Sequence, residues 1–386
     1  MAVSITCNHS RMKGINTSAI LNILSKKGAA SRVEIAEMLG LDNKTITNLV
    51  RDLIAKGLIM EGKSVKLKTG RPKQLLELNP QGCDAIAVFL RPQVVTVSLV
   101  NLTGQIRSTV KRPLKWNDTS ETILKKISGA IHDVIAKEDK SPIKGIGLAY
   151  HGVIDRQTGI VRNASMLKGW EGVCVPEFFK REFPSLPFEM EDNVECIAVA
   201  ESWYGAARDF SDFMMVELGV GIGSTLYISD EFLNTGRNAG EIGHCVVVDG
   251  GAVCSCGQKG CLETVASLRA VEDLYKQAKG LHNNVDFKTI AQRADQGEKQ
   301  AVEVINKAGE YIGHSVSFIV NAINPVNIVL VGEMVDSCDL LLQSIDGSIK
   351  DNCSFFNTNL VKGSLGEKAG LIGAGMLVLR KLFERN

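Results

Sequence analysis

The sequence predicts an α/β chain that begins with a separate, basic, helical module. A length of 386 residues exceeds one ordinary compact domain, so roughly two or three domains are expected. The net charge of +1 conceals a split: residues 1–79 carry 13 basic and 6 acidic side chains, and the remainder carries 31 and 37. The first part therefore has a balance of +7, which suits a polyanionic partner. From residue 84 onward apolar strands alternate with helical patterns, as in α/β layering.

Three short amphipathic patterns open the chain. The second begins at Ser31, an N-cap with Glu34 three residues later, and ends at Gly40. The third begins near Asn43 and has apolar residues at the spacing i, i+3, i+4, i+7, i+8. These residues are Ile46, Leu49, Val50, Leu53 and Ile54. Helix, tight turn and polar-faced helix together predict a helix-turn-helix, whose second helix enters the major groove of DNA.

The opposite, polar face of the third helix is expected to read the bases. It consists of Lys44, Thr45, Thr47, Asn48 and Arg51. Extended stretches at 58–61, 65–68 and 75–78 surround Gly70-Arg71-Pro72-Lys73, which predicts a β-wing with a basic tip. Arg71, held in a stiff turn, suits the electronegative minor groove of A·T-rich DNA. The alternative is that this helix face is merely solvated. The order of the helices, the wing and the charge together favour a winged helix-turn-helix that spans residues 1–80.

No targeting or membrane segment is recognisable in the sequence. The first twenty residues lack the continuous apolar region of a secretory signal. The best apolar candidate for a span, Phe318–Val331, is interrupted by polar residues and a proline and is too short to cross a bilayer. Of the ten cysteines, three crowd into residues 254–261 and seven are scattered, unlike the cysteines of a disulfide scaffold. We therefore expect a cytoplasmic protein with reduced thiols, one metal site and no membrane partner.

The densest chemistry lies in a Cys-x-Cys-x4-Cys pattern with a histidine ten residues upstream. The ligands would be His244, Cys254, Cys256 and Cys261. Three thiolates and one imidazole complete a tetrahedron without a position for water, which favours one structural Zn²⁺ per chain over a catalytic one. Gly257 and Gly260 allow the tight reversal that brings the sulfurs together. Cysteines that fill the core or undergo redox chemistry are the alternative, which the clustering with glycines and a histidine disfavours.

The stretch Ala239–Glu263, which contains this pattern after Ala-Gly-Glu-Ile-Gly-His, resembles the signature of the ROK family of repressors, open reading frames and sugar kinases. The similarity extends to Gly145–Gly152, Pro187–Glu201 and Leu365–Ala374, and with the winged module the whole chain resembles the repressor branch. The resemblance implies a two-lobed, actin-like (ribonuclease H-like) sugar-kinase fold. Its parts would be the winged module 1–80, a smaller lobe of residues 81–200 and 373–386, and a larger lobe of residues 201–372 with the zinc site and an oligomerisation surface.

The resemblance also implies which residues, drawn from both lobes, face a sugar held between them. They are Gly152, Asn163, Asp192, Asn193, Glu241, His244 and Glu263. His244 can serve both sites because one ring nitrogen coordinates the metal while the other donates to an oxygen. A zinc-braced loop would hold the two glutamates rigid, which lowers the entropic cost of binding. Without the motif, both glutamates would be interpreted as surface or helix-end carboxylates.

The positions that a kinase of this family needs are altered. Its Asp-x-Gly-Gly-Thr hairpin, whose N–H groups cradle phosphate, corresponds here to Phe89–Gln93, with a proline at one glycine position. Val220 replaces a threonine in the second phosphate loop, and Gly332-Glu333-Met334 replaces a triple glycine. Asn193 stands where an aspartate would deprotonate the sugar, which an amide cannot do. Asp192 would serve as the base in its place only if the alignment with the kinases shifts by one residue.

We therefore expect a transcriptional repressor of sugar uptake or catabolism genes, not an enzyme, with a degenerate kinase domain that senses a carbohydrate. The alternative is an active ATP-dependent sugar kinase with an appended DNA-binding domain. The expected partners are operator double-stranded DNA, bound by a homodimer or a dimer of dimers, and a sugar or sugar-phosphate effector. A sugar-transport protein is an alternative inducer, and the sequence leaves the choice of effector open.

Overall fold

The structure is a computed structural model of the chain. It describes residues 9–65, 72–137, 141–155, 157–163, 169–229, 231–233, 240–353, 355 and 357–384. Within these ranges the predicted α/β layering is confirmed, because sheets alternate with helices that cover their faces. Among the described helices, none combines the length and the apolarity needed to cross a membrane.

The N-terminal module has the element order of a winged helix-turn-helix. Its elements are α1 (His9–Lys27), β1 (Ala29–Ser31), α2 (Arg32–Leu39), α3 (Asn43–Ala55), β2 (Ile59–Val65) and β3 (Lys73–Leu78). The predicted N-cap of α2 is confirmed, since the Ser31 hydroxyl accepts from the N–H of Glu34 and the Glu34 carboxylate accepts from the N–H of Ser31. Asp42 caps α3 by accepting from the N–H of Thr45. Gly40, with a φ of 63°, makes the turn between α2 and α3.

The wing is an antiparallel sheet with the strand order β1-β3-β2. The predicted break between residues 61 and 65 is wrong, because β2 is one continuous strand whose register to β3 shifts between Glu61 and Ser64. Such a bulge bends and twists a strand without ending its pairing. The predicted wing tip with Arg71 lies outside the described residues.

The first lobe follows the wing. Its elements are β4 (Asp84–Arg91), β5 (Val94–Asn101), β6 (Ile106–Pro113), α4 (Ser120–Ala136), β7 (Ile143–Tyr150), β8 (Val153–Asp155), β9 (Ile160–Asn163), α5 (Val175–Glu182), β10 (Phe188–Asp192) and α6 (Asn193–Tyr204). The main sheet has the order β10-β7-β4-β5-β6, and β4, β7 and β10 are parallel. The carboxyl ends of these parallel strands, with Arg91, Tyr150 and Asp192, therefore share one edge of the sheet, where ligands bind in α/β proteins.

The second lobe has a similar sheet. Its elements are β11 (Phe213–Leu218), β12 (Ile222–Ile228), β13 (Glu231–Phe232), a 3-10 helix (Ile242–His244), α7 (Glu263–Ala266), α8 (Leu268–Lys279), α9 (Phe287–Asp295), α10 (Lys299–Ile323), β14 (Asn327–Val331), α11 (Glu333–Ser337), α12 (Asp339–Asn352) and β15 (Asn359–Lys362). The strand order is β13-β12-β11-β14-β15, with β11, β14 and β15 parallel. Gly309 and Gly313 of α10 lie against Ser344 and Ser348 of α12, so these two helices approach closely.

The chain then returns to the first lobe. Helix α13 (Ala369–Leu379) is buried along its whole length and packs on the first sheet and on α6. Glycine is required at this contact, because a Cβ at Gly373 would overlap the carbonyl of Cys196 and one at Gly370 would overlap the ring of Phe89. The division into lobes after residues 200 and 372 stays a prediction, and both boundaries fall inside helices, α6 and α13.

Candidate functional site

Helix α3 presents the predicted DNA-reading face to solvent. Its apolar residues Ile46, Leu49, Val50 and Leu53 are buried. The polar residues Lys44, Thr47, Asn48 and Arg51 are exposed and Thr45 is half-buried, so the structure brings all five onto one surface. The Arg51 guanidinium donates to Asn48 Oδ1 at 3.1 Å, which places the two next to each other. Amide and guanidinium groups match the acceptor and donor patterns of purines in the major groove.

Two residues of α1 lie beside this face and were missed in the sequence. Lys13 and Asn16 line a cavity of about 430 Å³ together with Thr45 and Asn48. The Lys13 ammonium forms an ion pair with Asp52 at 2.5 Å, and this contact, with the charge of the lysine, lowers the pKa of Asp52. Only the packing of α1 against α3 reveals these neighbours, because a polar residue early in a helix is an ordinary feature of sequence.

The predicted metal ligands converge on one point. The ligand atoms of His244, Cys254, Cys256 and Cys261 all lie within 4.8 Å of one another. Two of their distances are 3.7 Å, between the sulfurs of Cys256 and Cys261, and 3.5 Å, between Cys254 Sγ and His244 Nδ1. A disulfide would need about 2.05 Å between sulfurs. A tetrahedral zinc ion with Zn–S bonds of about 2.3 Å separates its sulfurs by about 3.8 Å and its sulfur and nitrogen by about 3.6 Å. The donor set therefore fits Zn²⁺.

Backbone geometry explains how this loop folds. Val246 pairs with Cys261 and Val253 with Lys259 in isolated antiparallel bridges, so the segment doubles back on itself. Gly260 has a φ of 76°, and a Cβ at this position would overlap the carbonyl of Val248. The glycine proposed from sequence to permit the reversal thus does so through both its φ and its lack of a side chain.

The glutamates predicted to contact a sugar lie on either side of the metal ligands. Glu241 precedes the 3-10 helix that carries His244, and the His244 N–H donates to the Glu241 carbonyl at 3.1 Å. Glu263 begins α7, and its Oε2 accepts from the N–H of Ile222 at 3.3 Å. A Cβ at Gly221 would lie 2.9 Å from this oxygen. Glu263 is therefore held against the glycine loop that follows β11, and the His244 ring turns its Nδ1 toward Cys254.

Asp192 and Asn193 lie at the carboxyl end of β10, where α6 begins. Asp192 caps the helix by accepting from the N–H of Val194 at 2.8 Å. The buried amide of Asn193 donates to Glu217 Oε2 at 2.6 Å, which joins α6 to β11 of the second lobe. Asn193 is thus a committed donor, and an amide cannot accept a proton as a catalytic base does.

The electrostatics identify a shared acidic site. Burial raises the pKa of Asp192 well above its usual value. The hydrogen bond from Val194 opposes this rise, whereas the charges of Glu195, Glu217 and Glu241 add to it. Glu241, a glutamate of the other lobe, is thus among the charges that raise the pKa of Asp192.

Glu217 is a member of this site that sequence reasoning missed. Burial raises its pKa, while the charge of His151, the hydrogen bond from Asn193 and the charge of Arg91 lower it. A usable signal was present, because Glu217 interrupts the otherwise apolar strand Phe213–Leu218 immediately before the glycine loop. A carboxylate at the end of an apolar strand, next to a glycine turn, is typical of a ligand site.

Other groups at the same edge have unused hydrogen-bonding capacity. The hydroxyl of Tyr150 and the indole N–H of Trp170 are buried without a hydrogen-bond partner in the described part of the chain, and the two rings lie 5.9 Å apart. Gly152 follows at a φ of 139°, and its neighbour Val153 pairs with Asn163. The structure thus brings Gly152 and Asn163 together; the Asn163 side chain lies outside the description, and the described contacts do not join this pair to the glutamates.

Comparison with known proteins identifies the family. The profile described as ROK family matches residues 92–381, and that of winged helix-turn-helix DNA-binding domains matches residues 15–60. The chain belongs to the ROK family. This confirms the resemblance that the sequence motifs carry.

Several relatives of this ROK protein match over nearly their whole length. A xylose repressor from Caldicellulosiruptor bescii is 28% identical, covering 96% of this chain and 97% of the relative. A putative xylose repressor from Caldicellulosiruptor sp. is 30% identical over 88% of each chain. The DNA-binding transcriptional dual regulator NagC of Escherichia coli is 29% identical, covering 96% of this chain and 94% of NagC.

Solved structures confirm the fold. A ROK family transcriptional regulator, a homolog of the E. coli MLC protein, superimposes with a TM-score of 0.81 over 97% of each chain at 23% identity. A ROK family glucokinase from Streptomyces griseus, solved with glucose and AMPPNP, gives a TM-score of 0.69 at 25% identity. The glucokinase covers 77% of this chain, and 99% of its own length is matched. This ROK protein therefore consists of a winged helix-turn-helix followed by the two-lobed, actin-like sugar-kinase fold.

Proposed function

We propose that this ROK protein is a DNA-binding repressor of sugar uptake or catabolism genes, and that its kinase-like domain binds a carbohydrate without phosphorylating it. The observation that carries the proposal is the Asn193 amide, which donates to Glu217 where a kinase needs a base. The winged module in front and the repressors among the relatives support the same conclusion. A working kinase with an added DNA-binding domain fits less well, because Pro92 and Arg91 occupy former phosphate-loop glycines.

The effector is a sugar or sugar phosphate held between the lobes. Its hydroxyls would be bound by Glu241, His244 and Glu263 on one side and by Gly152, Asn163, Asp192 and Asn193 on the other. Polyhydroxylated ligands need acceptors at fixed angles. The Ile222 N–H holds the Glu263 carboxylate, and the backbone carbonyl of Glu241 is fixed by the His244 N–H.

Zn²⁺, one per chain, would be held by His244, Cys254, Cys256 and Cys261. When bound, the ion cross-links the loop and neutralises the thiolates. The protein's own part is positional, because Cys261 and Glu263 are separated by one residue and the N–H of Leu262 donates to the carbonyl of Cys245 at 2.8 Å. Bracing the cysteines therefore braces the sugar-contacting glutamate as well.

Operator DNA would be read by Lys44, Thr45, Thr47, Asn48 and Arg51 in the major groove and by Arg71 in the minor groove. One recognition helix reads only a few base pairs, so a homodimer supplies the second half-site. The second lobe offers a surface for this dimer on α10, where Phe318 is 63% exposed and stacks edge-on against His314 at 4.9 Å. Ile323 and Val326, both exposed, extend the apolar surface. Dimers of dimers remain an alternative assembly.

A gel shift on the DNA upstream of the protein's own gene tests the function. The protein–DNA complex is titrated with D-xylose, D-glucose, N-acetyl-D-glucosamine, glucose 6-phosphate and N-acetylglucosamine 6-phosphate. Release by one of these sugars, without ATP consumption in the same mixture, is the expected result. If none of them releases the DNA, the inducer is instead a protein, such as a sugar-transport protein. Sugar-dependent ATP consumption would establish the kinase function instead.

A further inference from the structure

Helix α6 begins at the proposed effector site and ends beside the C-terminal segment of the chain. Asp192 is its N-cap and Asn193 its first residue, so two of the four proposed small-lobe sugar contacts are part of the helix start. With 12 residues, α6 is about 18 Å long. Any displacement of Asp192 and Asn193 is therefore a displacement of the helix.

The helix is packed to move as one body. Every residue from Asn193 to Glu201 is buried. Gly223 of the second lobe has no room for a side chain because Val194 lies against it, and Gly373 of α13 is pressed on the Cys196 carbonyl. Close-packed contacts on several sides transmit a shift instead of absorbing it, since a dense interior compresses little.

The far end of α6 is clamped to the chain that leads into α13. The buried Glu201 carboxylate accepts the N–H groups of Ala206 at 2.7 Å, Ser364 at 2.9 Å and Leu365 at 2.9 Å. Two residues further on, the Trp203 ring meets the edge of Phe383 with their centroids 4.7 Å apart. The end of the helix thus contacts the C-terminal segment 380–384.

This C-terminal segment is bonded to α1 of the DNA-binding module. The Asn22 amide donates to the Phe383 carbonyl at 3.0 Å, and the Ser18 hydroxyl donates to the Glu384 carbonyl at 2.7 Å. Arg208, just beyond α6, donates to the carbonyl of Ser25. Leu21 and Leu24 of α1 share one apolar core with Phe383 and with Val194 of α6. An unbroken series of contacts therefore joins the effector site to the helix that supports α3.

We propose that α6 and the segment 380–384 are the path by which an effector bound at Asp192 and Asn193 repositions α1 and weakens operator binding. The proposal rests on the proposed function and names its route of regulation. A sugar hydroxyl that binds the Asn193 amide competes with Glu217 and so favours a different position of the helix start. A tilt of about three degrees over about 18 Å moves the far end by about 1 Å, enough to break a hydrogen bond.

The surroundings leave room for such a movement. A cavity of about 450 Å³ lies beside the path and is lined by Trp203, Phe232 and Phe383 among others. The bonds to α1 end on carbonyl groups of the segment 380–384, so they depend on where this backbone lies and not on its side chains.

The test removes the two hydrogen bonds to the segment in a Ser18→Ala, Asn22→Ala double variant. The matched control is Thr17→Ala, because Thr17 precedes Ser18 on the same helix but its hydroxyl donates to Lys13 of its own helix at 2.8 Å. Operator affinity is measured with and without the five sugars named above. Coupled sites typically change affinity by about 5- to 150-fold. In wild type and Thr17→Ala the sugar should weaken operator binding by the same factor, whereas in the double variant this factor should fall toward one.

A reciprocal measurement distinguishes lost coupling from lost stability. Operator DNA should weaken sugar binding by the same factor in wild type and should not affect it in the double variant, while the affinity for sugar alone stays unchanged. If the double variant unfolds, Phe383→Leu replaces it, because the shorter side chain keeps an apolar group but loses the ring contact to Trp203. A sugar response equal to that of Thr17→Ala would overturn the path and leave the repressor function standing. No response to any of the five sugars in wild type would overturn the proposed sugar effector and the path together.

Discussion

The side-chain amide of Asn193 donates to Glu217 across the two lobes, with 2.6 Å between Nδ2 and Oε2. A short hydrogen bond to a carboxylate is among the stronger neutral-to-charged contacts in a protein. It links the first residue of α6 to Glu217, the carboxylate next to the end of β11. Asn193 is thus both a proposed sugar contact and a connection between the lobes.

Replacement of Glu263 by Ala should abolish the response to sugar. Loss of a hydrogen bond to a charged group costs about 1.5–3 kcal/mol, so effector affinity should fall by roughly 10- to 150-fold. Isothermal titration with the active sugar measures this change. Zinc content and operator binding without sugar should match wild type, and the exposed Glu303→Ala variant should respond normally. Undiminished release of DNA by Glu263→Ala would remove this residue from the site.

Freshly purified protein should contain about one zinc ion per chain, and Cys256→Ser should lose it. The ligand atoms already lie within 4.8 Å of one another, so removal of one thiolate breaks the set and frees the loop. Elemental analysis and thermal unfolding measure both effects. Cys245→Ser is the matched control, because Cys245 is exposed, next to His244 and outside the ligand set. A metal-free wild type, prepared without chelator, would contradict the prediction.

Stability should decline with rising pH more steeply in wild type than in Asp192→Asn. Burial raises the pKa of Asp192 above its ordinary value of 3.8, so between that value and the raised one the folded state holds a proton that the unfolded state has lost. The free energy of unfolding therefore falls as pH rises through this window, by at most about 1.4 kcal/mol per pH unit. Urea unfolding from pH 4.5 to 8 measures both slopes. The asparagine keeps an acceptor for the Val194 N–H, so the helix cap is preserved. Equal slopes of unfolding free energy against pH in the two proteins would show that Asp192 does not cause the decline.

The Glu201→Gln variant should lose about 1–3 kcal/mol of stability. Its carboxylate accepts several backbone N–H groups, and a glutamine amide would turn an NH₂ group toward at least one of these donors. Chemical denaturation measures the free energy of unfolding. Glu367→Gln, on the same connection but exposed, should change it by no more than about 0.5 kcal/mol. Equal stability of the two variants would mean that the clamp on α6 is weak.

The Arg71→Ala variant should lose affinity mainly for operators with A·T-rich flanks, by roughly tenfold. A narrow A·T minor groove has an enhanced negative potential that attracts arginine. Lys73→Ala serves as comparison, because it also removes one positive charge from the wing, and loss of charge alone weakens binding to all flanks alike. Fluorescence anisotropy with matched A·T- and G·C-flanked duplexes distinguishes the two. Equal flank dependence in wild type and Arg71→Ala would reject the minor-groove role.

The sequence alone determined the features that depend on neighbours along the chain. The capping box of Ser31 and Glu34, the apolar face of α3 and the cysteine spacing of the metal ligands are all local patterns, and the structure reproduces each of them. Local patterns can be predicted from sequence because helix periodicity and short loops restrict which side chains meet. The one local error, the predicted break in the wing, arose because a bulge keeps strand pairing intact where the sequence suggests a turn.

The tertiary structure decided the contacts between distant residues. Glu217 meets Asn193 from another lobe, and Ser18 bonds to a carbonyl 366 residues away. No periodicity encodes such pairs, because they arise only when α6 and α13 are packed between the sheets and the chain end returns to α1. The proposed binding residues could therefore be identified from motifs, whereas the contacts that would communicate binding depended on the packing of distant segments.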